Sequence, residues 1–260
     1  VHNQLLAHAY AMERIKALRP AARVGLSLGL SPVTPAGTSA ADRSVVDLAD
    51  QLLNGVFLDP LFKGEYPAKL MSRLGLFWPE IKPADMEMIS RPMNFLGINL
   101  YSRARAVYAP WVPLLNTWIK KSRVPVREYE KRGLRYTAAG REVYPEAMYQ
   151  ILVKIRDGYG NIPVYITENG AAFTDKLDDY RVRDVNRVEF IREYAAQAAR
   201  AAEAGCDLRG LFVSSLLDCC EPAGGYEKRS GIVYVDYATQ KRFIKDSGYW
   251  YKDLILANKR

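Results

Sequence analysis

The apolar positions fall into two rhythms that take turns along the chain. Over residues 2–18, Leu5, Leu6, Ala9, Met12 and Ile15 recur at helical spacing, and Pro20 follows as a stop. Residues 23–30, RVGLSLGL, form a short apolar run that ends at Ser31 and Pro32, which predicts a buried strand. A second helix is expected over 40–57, with Asp42 near its start, and two short helices between Pro67 and Ile89, parted by FWPEIKP. The second strand falls on 95–101, FLGINLY. Residues 102–140 are weakly patterned and read as one long loop, a length that in compact domains is often functional. After it come a helix over 145–159, a third strand over 163–167 (PVYIT), and a long helix over 184–204 ended by Gly205. A fourth strand over 210–214 (GLFVS), a fifth extended segment over 231–236 (GIVYVD) and a closing helix over 245–256 complete the pattern.

Strands that alternate with helices imply a parallel sheet with helical crossovers. The repeated strand–helix module is the unit of a (β/α)₈ (TIM) barrel, and about half of the usual eight modules are present. The expected fold is therefore α/β, a partial barrel forming a single domain over residues 1–260.

Composition changes this picture little. The three cysteines, Cys206, Cys219 and Cys220, include no CxxC pair, and two histidines do not make a zinc site, so reduced thiols and no metal are expected. No apolar run is long enough to span a bilayer, and the first residues, VHNQLLAHAY, carry no basic segment or small-residue cleavage site. A cytoplasmic location without a membrane partner follows as the expectation. The net charge is +8, with basic residues spread along the chain and one denser region from Arg103 to Arg141, where Trp111, Trp118, Tyr129 and Tyr136 are interleaved. Such a stretch suits nucleic acid, but no recognised binding motif accompanies it, and a solvated basic loop is the preferred reading.

Candidate chemistry lies at the C-terminal ends of the strands, where barrels of this kind carry their functional residues. Those ends hold Gly29 and Ser31, Asn99 and Tyr101, Thr167, Glu168 and Asn169, and Ser214 with Asp218. Glu168 stands out because it follows the β-branched run PVYIT and precedes Asn-Gly, a turn signal. A carboxylate there is held by a rigid strand and aimed into the barrel mouth.

The segment PVYITENGAAF, with its core ITENG, resembles the nucleophile segment of glycoside hydrolase family 1, the β-glucosidase family. HNQLLAHAYAM, RVGLSLGLSPV, FLDPLFKGEYP and FLGINLYSR upstream, and GLFVSSLLD and GYEKRSGIVYVDYATQKRFIKDSGYWY downstream, follow the order of the same family. The resemblance covers essentially the whole chain and corresponds to about strands 5–8 of the barrel, preceded by the helix after strand 4. It implies hydrolysis of β-glucoside-like sugars with retention and without a cofactor. It also implies roles: Glu168 as nucleophile, Tyr101 as the residue that hydrogen-bonds it, Asn99 as a polar neighbour, and Glu221 as an acceptor for sugar hydroxyls. Retaining glycosidases use two carboxyl groups about 5–5.5 Å apart, one attacking the anomeric carbon and one serving as acid and then base.

Departures from the family pattern qualify that expectation. The acid/base glutamate of the family lies in an Asn-Glu-Pro segment on the fourth barrel strand, and no Asn-Glu-Pro occurs in this sequence. General acid–base help contributes roughly 10²–10⁴-fold in rate, so weak or no activity is expected of these residues alone. Ser214, Arg141 and Pro222 stand where the family usually has Trp, Ser230 where it has Phe, Cys219 and Cys220 where it has Asn and Phe, and Gly29 where it has Asn. These changes reduce the sugar-stacking surface. The alternative is a non-catalytic barrel fragment, engineered or decayed, that serves as a scaffold or a self-associating or ligand-binding module. The expected partners are a complementary N-terminal half-barrel or a second copy, which would cover the open strand edges.

Overall fold

A computed structural model describes residues 1–78, 80–121, 135–220 and 225–258. Its centre is a four-stranded parallel sheet of β1 (Gly25–Gly29), β3 (Phe95–Asn99), β6 (Val164–Asn169) and β7 (Leu208–Val213), ordered as they occur in the chain. Each neighbouring pair is parallel, so the chain crosses over through helices between strands. The expected strand–helix alternation is present, and the sheet and helices fit a partial barrel.

Strand parity explains the two faces. Leu28, Leu96, Ile98, Val164 and Ile166 share one parity and are buried. They pack beneath the apolar stripes of helices α1 (His2–Leu18), α7 (Glu146–Gly158) and α8 (Val185–Glu203). Leu5 and Met12 supply the first stripe, Ile151 and Ile155 the second, and Phe190, Ile191 and Tyr194 the third. Fully burying one such side chain stabilises by about 1.5–3 kcal/mol, so each of these contacts is a substantial contribution. The opposite parity (Ser27, Gly29, Asn99, Thr167 and Phe212) faces the barrel interior. Ser27 and Gly29 are exposed there, and Phe212 is 53% accessible. Among the described residues nothing pairs with the outer edge of β1 or of β7.

The helix expected over 40–57 is longer and segmented. It comprises α2 (Ala40–Ser44), α3 (Val46–Asp50), one π-helical turn and α4 (Val56–Lys63). It ends at Gly64, whose φ of 72° is the left-handed conformation that terminates helices. The two short helices are α5 (Ala68–Leu74) and α6 (Pro83–Ile89).

The structure corrects the long loop at 102–140. Residues 104–121 contain a hairpin, β4 (Ala104–Tyr108) and β5 (Thr117–Lys121), which joins β2 (Val33–Pro35) in a separate three-stranded sheet. The alternation in ARAVY is real but buries only small residues, Ala104 and Ala106, so it lacks the bulky apolar signature of a strand. Residues 122–134 lie outside the described part. The fifth extended segment is present but lies apart from the main sheet. It forms β8 (Val233–Val235), which pairs antiparallel with β9 (Arg242–Ile244) as a hairpin and not as a fifth strand of the main sheet. Helix α9 (Asp246–Ala257) then packs on α8. No helix among the described residues is long and apolar enough to cross a membrane.

Candidate active site

Glu168 owes its position to an irregularity in β6. In the pairing with β3, Ile98 faces Ile166 but Asn99 faces Glu168, so Thr167 is an extra residue. A β-bulge of this kind sets two residues against one and re-aims the side chains. Strict alternation would send Thr167 and Glu168 to opposite faces. Here Thr167 reaches Asn99 on the interior face, and the Glu168 carboxylate still turns towards Tyr101 on the same side.

Tyr101 Oη donates a short hydrogen bond to Glu168 Oε2. The other carboxylate oxygen, Oε1, bonds to none of the described residues. Burial, together with the Glu168 carboxylate that accepts its proton, pushes the Tyr101 hydroxyl up to about 12. The tyrosine therefore remains a donor at neutral pH. Its backbone is fixed from behind by Tyr194, whose hydroxyl donates to the Tyr101 carbonyl at 3.0 Å. The Arg141 guanidinium lies over the Tyr101 ring, 4.3 Å from its centre.

Asn99 sits in a polar cluster on the interior face. Its Oδ1 accepts from Ser27 Oγ at 3.0 Å and from Thr167 Oγ1 at 2.7 Å, and the two hydroxyls are 2.7 Å apart. The Asn99 amide nitrogen is left without a partner among the described residues, as an outward donor. Gly29, Ser31, Leu53, Asn99, Tyr101, Ser102, Arg103, Ala104, Ile119 and Arg141 line a cleft of about 380 Å³ here. Glu221, the fourth residue expected at the site, lies outside the described residues.

Two ionic assemblies are built around buried carboxylates, and Arg103 of the first lines the cleft. Glu142, 2% exposed, accepts from Arg103 at 2.7 and 3.0 Å and from Arg105 at 2.7 Å. Burial opposes ionisation of the Glu142 carboxyl, but the two guanidiniums outweigh it and hold the group below the usual carboxylate range. The larger assembly contains three cations, Arg187, Arg229 and Lys245, and three anions, Asp175, Asp184 and Asp218. Arg187 meets Asp175 through a fork at 2.8 and 3.0 Å and also bonds Asp184. Lys245 bridges Asp175 and Asp218, and Arg229 reaches Asp218 at 2.8 Å. Burial, and then the Arg187 cation, push the Lys245 ammonium below its ordinary value against the pull of its two carboxylates. This assembly ties the loop after β6 to the start of α8, the loop after β7 and the start of α9. It thereby immobilises the chain on the far side of Glu168.

Sequence reasoning singled out Glu168, Tyr101, Asn99 and Asp218, and the structure brings the first three together. Asp218 stands in the ionic assembly. Ser27 was missed, although it shares strand parity with Gly29. Asp175, Arg229 and Lys245 were missed because their partners are remote in sequence. Of the basic stretch, Arg103 and Arg105 are paired with Glu142, and Arg135 with Glu189 and Glu193. Among the described residues no group of three His, Cys, Asp or Glu side chains is placed to hold a metal ion.

The sequence profile of glycosyl hydrolase family 1 matches residues 1–260. The chain belongs to this family. It is 38% identical to beta-glucosidase A of Thermotoga maritima over 260 residues, which are 99% of this chain and 56% of the relative. It is 39% identical, over the same shares, to the 1,4-beta-D-glucan glucohydrolase of Thermotoga neapolitana. The solved family 1 β-glucosidase from Thermotoga maritima superposes with a TM-score of 0.89 at 37% identity, covering 99% of this chain and 56% of that one. The glycosyl hydrolase family 1 chain described here thus spans about 56% of the length of these relatives.

Proposed function

We propose that this chain is the catalytic-nucleophile half of a retaining β-glycosidase acting on β-glucoside-like sugars. In this reading residues 1–260 are one unit, corresponding to about strands 5–8 of the barrel with their helices. The observation that carries it is the Tyr101–Glu168 pair, with one carboxylate oxygen held by a phenol and the other without a partner among the described residues. Such a carboxylate stays oriented, and Oε1 is the attacking atom. It bonds the anomeric carbon while the glycosidic oxygen departs with a proton from a second carboxyl group. The Asn99 amide donates to a sugar hydroxyl, and Glu221 accepts from sugar hydroxyls.

The second carboxyl group comes from strands that complete the barrel against β1 and β7, supplied by a complementary N-terminal half-barrel. Residues 1–260 alone then release only a very good leaving group, and slowly. The test is incubation with an activated aryl β-glucoside, with Glu168→Gln as control. Burst release of the aryl group that vanishes in the variant supports the reading. Release that is absent even when an N-terminal family 1 half-barrel is added, or that survives in the variant, would sink it.

The exposed interior face favours one rival. Gly29, Ser214, Ser215 and Ser230 leave it short of aromatic surface, while Phe212 and Leu216 are 53% and 65% accessible. A non-catalytic fragment that pairs with a second copy through this face would show twice the chain mass in solution and no Glu168-dependent burst. A soluble, cytoplasmic protein without a cofactor is consistent with either reading.

A further inference from the structure

The charges around the cleft are unevenly satisfied. Arg103 and Arg105 share the buried Glu142. Among the described residues no carboxylate pairs with Arg141, and its one side-chain contact of note is the Tyr101 ring. Yet Arg141 is not a loose surface residue. Its carbonyl accepts from Thr137 N at 2.8 Å and its N–H donates to Thr137 Oγ1 at 3.2 Å. This closes a turn in which Gly140 has a φ of 73°. The turn is fastened to the loop after β6 by Ala138 N, which donates to the Ala172 carbonyl at 2.8 Å. The guanidinium is therefore presented at the cleft wall on a tied backbone, over the ring of the phenol that holds Glu168. A planar fork in that position, with its donors uncommitted among the described residues, suits a carboxylate or phosphate.

We propose that Arg141 is an anion-recognition residue, and that the preferred substrates are β-glycosides bearing a carboxylate or phosphate about one ring's reach from the anomeric carbon. This rests on the reading of the cleft as a glycoside site, and it names the substrate class for that site. The anion comes from one of two sources, the sugar itself as in a uronide, or the aglycone as in an acidic phenol. In both cases the ligand supplies the negative charge that none of the described residues offers Arg141.

Equilibrium binding separates the possibilities without relying on turnover. Three thioglycosides that resist hydrolysis are titrated and followed by NMR: phenyl β-thioglucoside, para-carboxyphenyl β-thioglucoside and phenyl β-thioglucuronide. One of the two carboxylates is expected to bind about tenfold more tightly than the neutral parent, and which one does so identifies the source. The gain is expected to shrink with added salt, to disappear in Arg141→Gln and to fall to an intermediate value in Arg141→Lys, which keeps the charge but loses the planar fork. Equal binding of all three ligands, a preference that survives in Arg141→Gln, or no binding of any ligand overturns the proposal. Covalent labelling of Glu168 by an activated fluoroglycoside is measured separately. Its loss alongside an intact carboxylate preference would reject the nucleophile and spare the role of Arg141.

Discussion

Tyr101 lies two residues past the end of β3 and Glu168 stands on the neighbouring parallel strand β6, and the tyrosine hydroxyl donates a hydrogen bond to the carboxylate. The contact depends on the bulge at Thr167, which turns the Glu168 side chain towards the interior face. Removing the hydroxyl should be felt chiefly by the carboxylate. A hydrogen bond to a charged group contributes about 1.5–3 kcal/mol, which corresponds to roughly 10–100-fold in rate. Tyr101→Phe is expected to slow covalent labelling of Glu168 by about that factor with little change in thermal stability. Unchanged labelling would remove Tyr101 from the site.

The same pair makes a pH prediction. Tyr101 titrates near 12, above the ordinary 10.0, first because of burial and next because of Glu168. Its folded value is raised, so its contribution to stability is complete below about pH 10 and is lost as pH climbs through about 12. In Glu168→Gln the charge and the carboxylate acceptor are gone while burial remains. The Tyr101 value should fall yet stay above 10.0. Carbon-13 NMR of the tyrosine ring, assigned with Tyr101→Phe, reads this directly, and an unmoved titration would contradict the contact.

Arg187 is 1% exposed and holds two buried aspartates. Removing one member of a buried ion pair leaves uncompensated charge and costs about 3–5 kcal/mol. Arg187→Met is expected to lower unfolding free energy by about that much in urea titration. Lys63→Met, which breaks a half-exposed pair with Asp59, should cost less than about 1 kcal/mol. Similar losses in the two variants would show that the assembly does not hold the loops.

Gly170 follows the Glu168–Asn169 strand end, and a Cβ there would meet the Ser214 carbonyl oxygen at 1.7 Å. That atom is backbone and has no side-chain rotation to relieve it. Gly170→Ala is expected to cost about 3 kcal/mol or more, the upper range for overpacking, and to weaken labelling of Glu168 as β6 and β7 are forced apart. Gly29→Ala meets nothing within 4 Å and serves as the neutral control. A melting temperature equal in both variants would refute the close approach of the two strands.

Much of this protein was legible in its sequence because the signals were local. Bulky apolar residues at alternate positions (Leu28, Ile98 and Ile166) marked the buried strands, and helical stripes such as Phe190, Ile191 and Tyr194 marked the crossovers. Their alternation limited the fold to a parallel α/β sheet, and the motif PVYITENG put a carboxylate at a strand end. The small residues of β4 hid a strand, since Ala104 and Ala106 bury little area and carry little hydrophobic signal. Tertiary structure alone decided the site. Pairing register is a property of two strands together, so the bulge that aims Glu168 at Tyr101 has no trace in either strand read singly. Long-range ion pairing is likewise invisible along the chain. It took the folded structure to join Asp175 to Lys245 and to set Arg141 over the Tyr101 ring with no carboxylate partner among the described residues.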